Sequence, residues 1–120
     1  MEFLWIGIGG FVGALSRYSF YLLEKRLLPG VPLATLIVNL LGCFLAGILW
    51  GLIQRKILVH SELKLFLMVG FLGSFTTFST FSLETMSLMR SGDLMMAVFN
   101  ITAQISLGLL LVYLGSMIRL

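Results

Sequence analysis

The stretch Gly70 to Glu84, GFLGSFTTFSTFSLE, sets the hydroxyls of Ser74, Thr76, Thr77, Ser79, Thr80 and Ser82 among Phe75, Phe78 and Phe81 inside an otherwise apolar chain. Ser and Thr are weak helix formers, and a backbone polar group cannot stay unpaired in a bilayer. Such a run is tolerated at membrane depth only where it is packed in protein or lines a hydrated cavity. A break over Gly73 to Thr77 would free backbone carbonyls, which attract a cation or donors, and hard oxygen ligands of that kind suit an alkali or alkaline-earth ion. After the break, Phe78, Phe81 and Ser82 share a helical face, and Thr76 and Thr80 lie opposite. The phenylalanine pair is open to two readings. It is either plain packing or a pair of electropositive ring edges that, with hydroxyl and amide donors, solvates a small, non-basic anion.

The elements that must position this stretch are membrane helices. A chain of 120 residues that is 59% hydrophobic and only 11% charged is far from the composition of a soluble domain. Its length suffices for about four crossings at ~20 residues each and leaves little over, so the sequence predicts one all-α membrane domain. The net charge of +3 comes from short loops; it fits anionic lipid headgroups and excludes a nucleic-acid partner, since no basic cluster is long enough to grip a phosphate backbone. No nucleophile has a base beside it, and there is no metal-ligand cluster or phosphate loop, so the chain is not expected to be an enzyme. Cys43, the single cysteine, can make no intramolecular disulfide.

The first segment, residues 3–23, lacks a basic leader region and is expected to be a retained transmembrane helix. Its small-xxx-small pairs, Gly9 with Gly13 and Gly10 with Ala14, permit close approach of another backbone. Arg17 serves there either as a structural or orientation anchor or in attracting anions. The second segment, residues 31–53, is uncharged and follows a Pro29, Gly30, Pro32 turn. Along it Thr35, Asn39, Gly42 and Ala46 form one small or polar stripe, in which Asn39 is interhelical glue or a donor to an anion. The polar loop 54–64 holds His60 as a solvated residue. The third segment, residues 65–90, places the central stretch near the bilayer midplane. The fourth, residues 94–118, carries Asn100 with Gln104 on one face and Thr102 with Ser106 on another.

Four crossings put Arg55, Lys56, Lys64 and Arg119 on one side of the membrane, against Lys25, Arg26, Arg90 and a snorkelling Arg17 on the other. Lys and Arg asymmetry sets orientation, and here it is absent. Dual topology follows as an expectation, and with it an antiparallel homodimer whose twofold axis lies in the membrane plane.

The blocks GGFVGALSRY (Gly9 to Tyr18), TLIVNLLGCFLAG (Thr35 to Gly47) and GFLGSFTTFSTF (Gly70 to Phe81) occur in this order, and the whole chain resembles the Fluc, or CrcB, family of bacterial fluoride channels. The resemblance implies a passive fluoride channel of the bacterial inner membrane, a dual-topology homodimer with two antiparallel pores and a central structural sodium ion. By motif it implies backbone carbonyls of Gly73 and Thr76 as sodium ligands, Phe78 and Phe81 as pore phenylalanines, and Asn39, Ser79 and Thr80 as pore polar groups. Arg17 and Glu84 match an arginine and an acidic residue of the family. On the fourth segment Thr102 with Ser106 is taken as the pore track in preference to Asn100 with Gln104. The rivals are a proton-coupled multidrug exporter, for which the first segment lacks the embedded carboxylate, and a membrane assembly subunit, which leaves the midplane cluster unexplained.

Overall fold

Every long element is a helix, because hydrocarbon leaves the backbone no partner but itself. The computed structural model describes residues 1–120, and it holds four helical spans long and apolar enough to cross a membrane: Glu2–Leu27, Ala34–Gln54, Ser61–Arg90 and Leu94–Met117. We call the first two α1 and α2. The third span is divided into α3 (residues 61–75) and α4 (Phe78–Arg90), and Leu94–Met117 is α5.

Local chemistry sets the ends. Gly30, at φ +84, reverses the chain after α1, where an L side chain would be strained. The Glu24 carboxylate then accepts from the backbone N–H groups of Leu33 and Ala34, the latter at 3.0 Å. It thereby caps α2 from the preceding helix and complements the positive end of its dipole, which starts α2 at Ala34, a few residues beyond Pro32. Asp93 caps α5 by accepting from the Met96 N–H at 3.2 Å. At the other end of α5, the Arg55 guanidinium binds the carbonyls of Ser116 and Ile118 and satisfies acceptors a helix terminus leaves open.

Glycines bring the helices together in two parallel pairs. In the first, a Cβ on Gly9 would overlap the Phe66 carbonyl, one on Gly13 the Phe71 carbonyl, and one on Gly70 would lie 2.6 Å from the Ile6 carbonyl. Residue numbers on α1 and α3 rise together, so the two helices run the same way. In the second pair, a Cβ on Gly47 would overlap the Val112 carbonyl and one on Gly51 would sit 2.7 Å from that of Ser116. Within both α3 and α5 the winding loosens to π-helix, at Leu65–Leu72 and Ala103–Leu107. Only 18 of the 120 residues are buried in the single chain, so most apolar side chains face lipid or another protein surface.

Gly9→Ala and Gly47→Ala should each lower stability by about 1–3 kcal/mol, because the added methyl meets backbone that cannot give way. Gly7→Ala, whose methyl meets nothing within 4 Å, should leave stability unchanged or slightly raised. Melting temperatures in detergent check this; equal losses at all three positions would contradict the packing scheme.

Candidate functional site

The third span breaks at two residues. Thr76 (φ −88, ψ 158) and Thr77 (φ −152, ψ 116) are extended, between helical Phe75 and helical Phe78. The last turn of α3 closes on itself, with the Thr76 N–H and hydroxyl both donating to the Leu72 carbonyl, at 3.1 and 2.9 Å. The Ser74 hydroxyl lies 2.9 Å from the Gly10 carbonyl and ties this turn to α1. Across the break, the Thr77 hydroxyl accepts from the Thr80 N–H at 3.2 Å, capping α4, and donates to the Thr80 hydroxyl at 3.0 Å.

The Thr77 backbone is paired by a side chain from α2. Its N–H donates to Asn39 Oδ1 at 2.8 Å, and its carbonyl accepts from Asn39 Nδ2 at 3.0 Å. This two-point pairing fixes which way the Asn39 amide faces. The remaining Nδ2 hydrogen donates to Gln104 Oε1 at 2.8 Å. The relay continues through Gln104 Nε2 to Asn100 Oδ1 (3.3 Å), Asn100 Nδ2 to the Thr85 hydroxyl (2.9 Å), and that hydroxyl to the Phe81 carbonyl (2.8 Å). One chain of hydrogen bonds therefore joins the break to the middle of α4 by way of α2 and α5.

The break deprives the carbonyls of residues 73–76 of their regular helical donors, and for Gly73 and Thr76 the structure shows where those donors go instead. In an unbroken helix their donors would be the N–H groups of Thr77 and Thr80, and here those two amides bond to Asn39 and to the Thr77 hydroxyl. Hard carbonyl oxygens released from helix pairing fit an alkali cation.

Beyond the break, Phe78 and Phe81 lie with ring centroids 5.5 Å apart and planes at 52°. They face two hollows. One, of about 330 Å³, is lined by Asn39, Gly42, Cys43, Thr76, Thr77 and Gln104 with apolar neighbours, and no charged side chain reaches it. The other is an open groove of about 640 Å³, with Ser82 and Thr85 on its wall and Arg90 at one end. Phe78, Phe81 and Ile105 line both and so form the partition between them. Phe81 is 9% exposed and Phe78 is 78% exposed, so the partition is half open in a single chain.

The family model for CrcB-like protein, camphor resistance (CrcB), matches residues 4–116. The chain belongs to the CrcB family. It is 42% identical over 111 residues to the "Fluoride-specific ion channel FluC" of Nitratidesulfovibrio vulgaris, covering 92% of this chain and 90% of that one. Relatives of the same name from Ruminiclostridium cellulolyticum and Dehalococcoides mccartyi are each 48% identical, covering 94% and 96% of this chain and 88% and 89% of theirs. Four apolar spans and this family make the protein a multi-pass membrane protein.

In this CrcB-family chain the expected residues fall into groups. Gly73, Thr76, Asn39, Thr80, Phe78 and Phe81 gather at the break and the two hollows, and the Ser79 hydroxyl lies 3.3 Å from that of Thr77. Thr102 and Ser106 are exposed on α5 and line neither hollow. The opposite track, Asn100 with Gln104, carries the relay. Glu84 accepts from the Thr35 hydroxyl at 2.7 Å, and the fully buried Thr35 also meets the Tyr21 hydroxyl at 3.2 Å. Arg17 is half-buried in α1, apart from both hollows. Two residues do more than the sequence reading gives them, with Thr77 placed only in the break and Gln104 passed over with Asn100. Thr77 has the N-cap signal of a Thr before a restarting helix, and Gln104 has the signal of an amide four residues from Asn100.

Gln104→Leu strands an Asn39 amide hydrogen and should cost about 1–3 kcal/mol of stability. Thr102→Val, on an exposed face, should stay within about 0.5 kcal/mol. Detergent melting curves that rank the two the other way would contradict the relay.

Proposed function

We propose that this chain forms a passive, fluoride-selective channel, working as an antiparallel homodimer with a structural sodium ion at its centre. The curated relatives it matches are named fluoride-specific ion channels. The single observation that carries the reading is the Phe78, Phe81 and Ile105 partition between an uncharged, mostly apolar hollow holding a few polar groups and a groove ending at Arg90. An anion moving from one hollow to the other would pass the ring edges, which are electropositive where the faces are not. Hydroxyls of Ser79 and Thr80, next to Thr77 at the break, would supply neutral donors to it. A site without a fixed cation binds weakly enough to release the ion, as conduction requires. Such a path has a use: neutral hydrogen fluoride crosses lipid and dissociates inside the cell, leaving an anion that lipid excludes.

The sodium ion would take the carbonyls of Gly73 and Thr76. One chain supplies two of these, Gly73 is exposed, and a second copy across a twofold axis would double the oxygen set. That ion would neutralise carbonyl charge on the axis without moving. In such a dimer the exposed hydroxyls of Thr102 and Ser106 would face a pore wall or the partner copy. Equal Lys and Arg counts on the two sides support insertion in both directions, and the Arg55 bonds to the end of α5 keep Arg55 and Arg119 on one side.

Fluoride efflux from proteoliposomes carrying Phe78→Ile or Phe81→Ile should fall by about tenfold or more, the loss of roughly one aromatic contact from the barrier. Efflux at the wild-type rate in both variants removes the phenylalanine path. On a Cys43→Ala background, single cysteines placed in the loop 54–64 should label from both faces of intact cells, and labelling from one face alone rules out dual topology.

A further inference from the structure

We infer that Asn39 and Thr77 are positioning residues of the cation site: they hold away the two amides that would otherwise occupy the Gly73 and Thr76 carbonyls, leaving those oxygens open to the ion. The inference rests on the cation site of the preceding subsection and gives its residues a cause.

A backbone N–H in hydrocarbon takes whatever acceptor is nearest, and for Thr77 and Thr80 the nearest in a regular helix would be Gly73 and Thr76. Those two bonds, together with Phe78 N–H to the Ser74 carbonyl and Ser79 N–H to the Phe75 carbonyl, would heal the break and make Ser61–Arg90 one continuous helix. Two side-chain oxygens stand in the way. Asn39 Oδ1 takes the Thr77 N–H and the Thr77 hydroxyl takes the Thr80 N–H, at 2.8 and 3.2 Å. Asn39 also answers the Thr77 carbonyl, so the extended conformation leaves no orphan at Thr77. Gly42 makes the latch possible from the same face of α2, because a Cβ there would overlap the Thr76 methyl.

The same bonds argue against Asn39 as a donor to the anion. Both hydrogens of its Nδ2 are spent, on Thr77 and on Gln104, and an amide has two. To serve fluoride, Asn39 would have to release the break or the relay. The geometry therefore assigns Asn39 to the cation site, although it also lines the 330 Å³ hollow. The relay from Gln104 to the Phe81 carbonyl then links the latch to the phenylalanine partition.

The test is a sodium titration of the melting temperature of the purified full-length protein in detergent, with choline chloride holding ionic strength constant. A ligand of the native state raises melting as it saturates. Asn39→Leu and Thr77→Val should need about ten- to a hundredfold more sodium for the same rise, the usual effect of removing a partner that orients a metal ligand. Asn39→Asp keeps the acceptor for the Thr77 N–H but loses the donors to the Thr77 carbonyl and Gln104, so it should need less sodium than Asn39→Leu. If Asn39→Leu does not fold, Thr77→Val carries the comparison. Sodium curves that overlay wild type in Asn39→Leu and Thr77→Val, with fluoride flux lost at saturating sodium, overturn the inference and make Asn39 a pore ligand. A wild-type protein whose melting ignores sodium overturns the inference together with the cation site. Fluoride-over-chloride flux in the same preparation then shows separately whether the channel reading survives.

Discussion

The pairing of the Asn39 amide with both backbone groups of Thr77 is the contact on which the rest depends. An extended residue inside a membrane span exposes an N–H and a carbonyl that lipid cannot satisfy, at several kcal/mol each. A carboxamide presents a donor and an acceptor on separate atoms side by side, so a single Asn closes both. The break this permits is short, two residues, and it separates a carbonyl-rich end of α3 from an amide-rich end of α4. Opposite charges are favoured at the two ends of one interruption.

Asn39 reaches Thr77 and Gln104 only because the helices are held in register by their small residues. On α2, positions 39, 43, 47 and 51 meet positions 104, 108, 112 and 116 of α5 in order, through the hydrogen bond to Gln104, the Cys43 sulfur against Gly108, and Gly47 and Gly51 against the Val112 and Ser116 carbonyls. A constant step of four on both helices is the spacing of small-residue packing in membranes. The π-helical turn at Ala103–Leu107 lies within this run, next to the amide it presents. Such turns mark sites where local geometry is bent to a purpose.

Much of this was readable from residue types. The spans followed from apolar length. The place of the break followed from a hydroxyl-rich run at the midplane, although Gly73 to Phe75 stay helical and only Thr76 and Thr77 leave the helix. Gly9 and Gly13 read as a packing face, and they pack on α3. Partners were harder. Asn39 read first as interhelical glue, with an anion donor left open, because spacing along one helix says nothing about what the neighbouring helix offers. The choice between the two tracks on the last helix depended on helix rotation, which a π turn changes, and Asn100 with Gln104 rather than Thr102 with Ser106 meets Asn39. The start of α2 at Ala34 depended on Glu24, a carboxylate from the preceding helix that no local pattern reveals.

A polar break in an apolar helix, a phenylalanine partition beside it and the absence of charge in the adjoining hollow are the features on which the proposed passage of a small anion rests. The most direct measurement is anion release from wild-type proteoliposomes under a potassium gradient, started with valinomycin and followed with fluoride and chloride electrodes in parallel. Release of fluoride well above protein-free liposomes, with chloride release indistinguishable from them, is the result expected. Fluoride release no greater than from protein-free liposomes, or chloride release at a matching rate, would contradict a fluoride-selective path at the break.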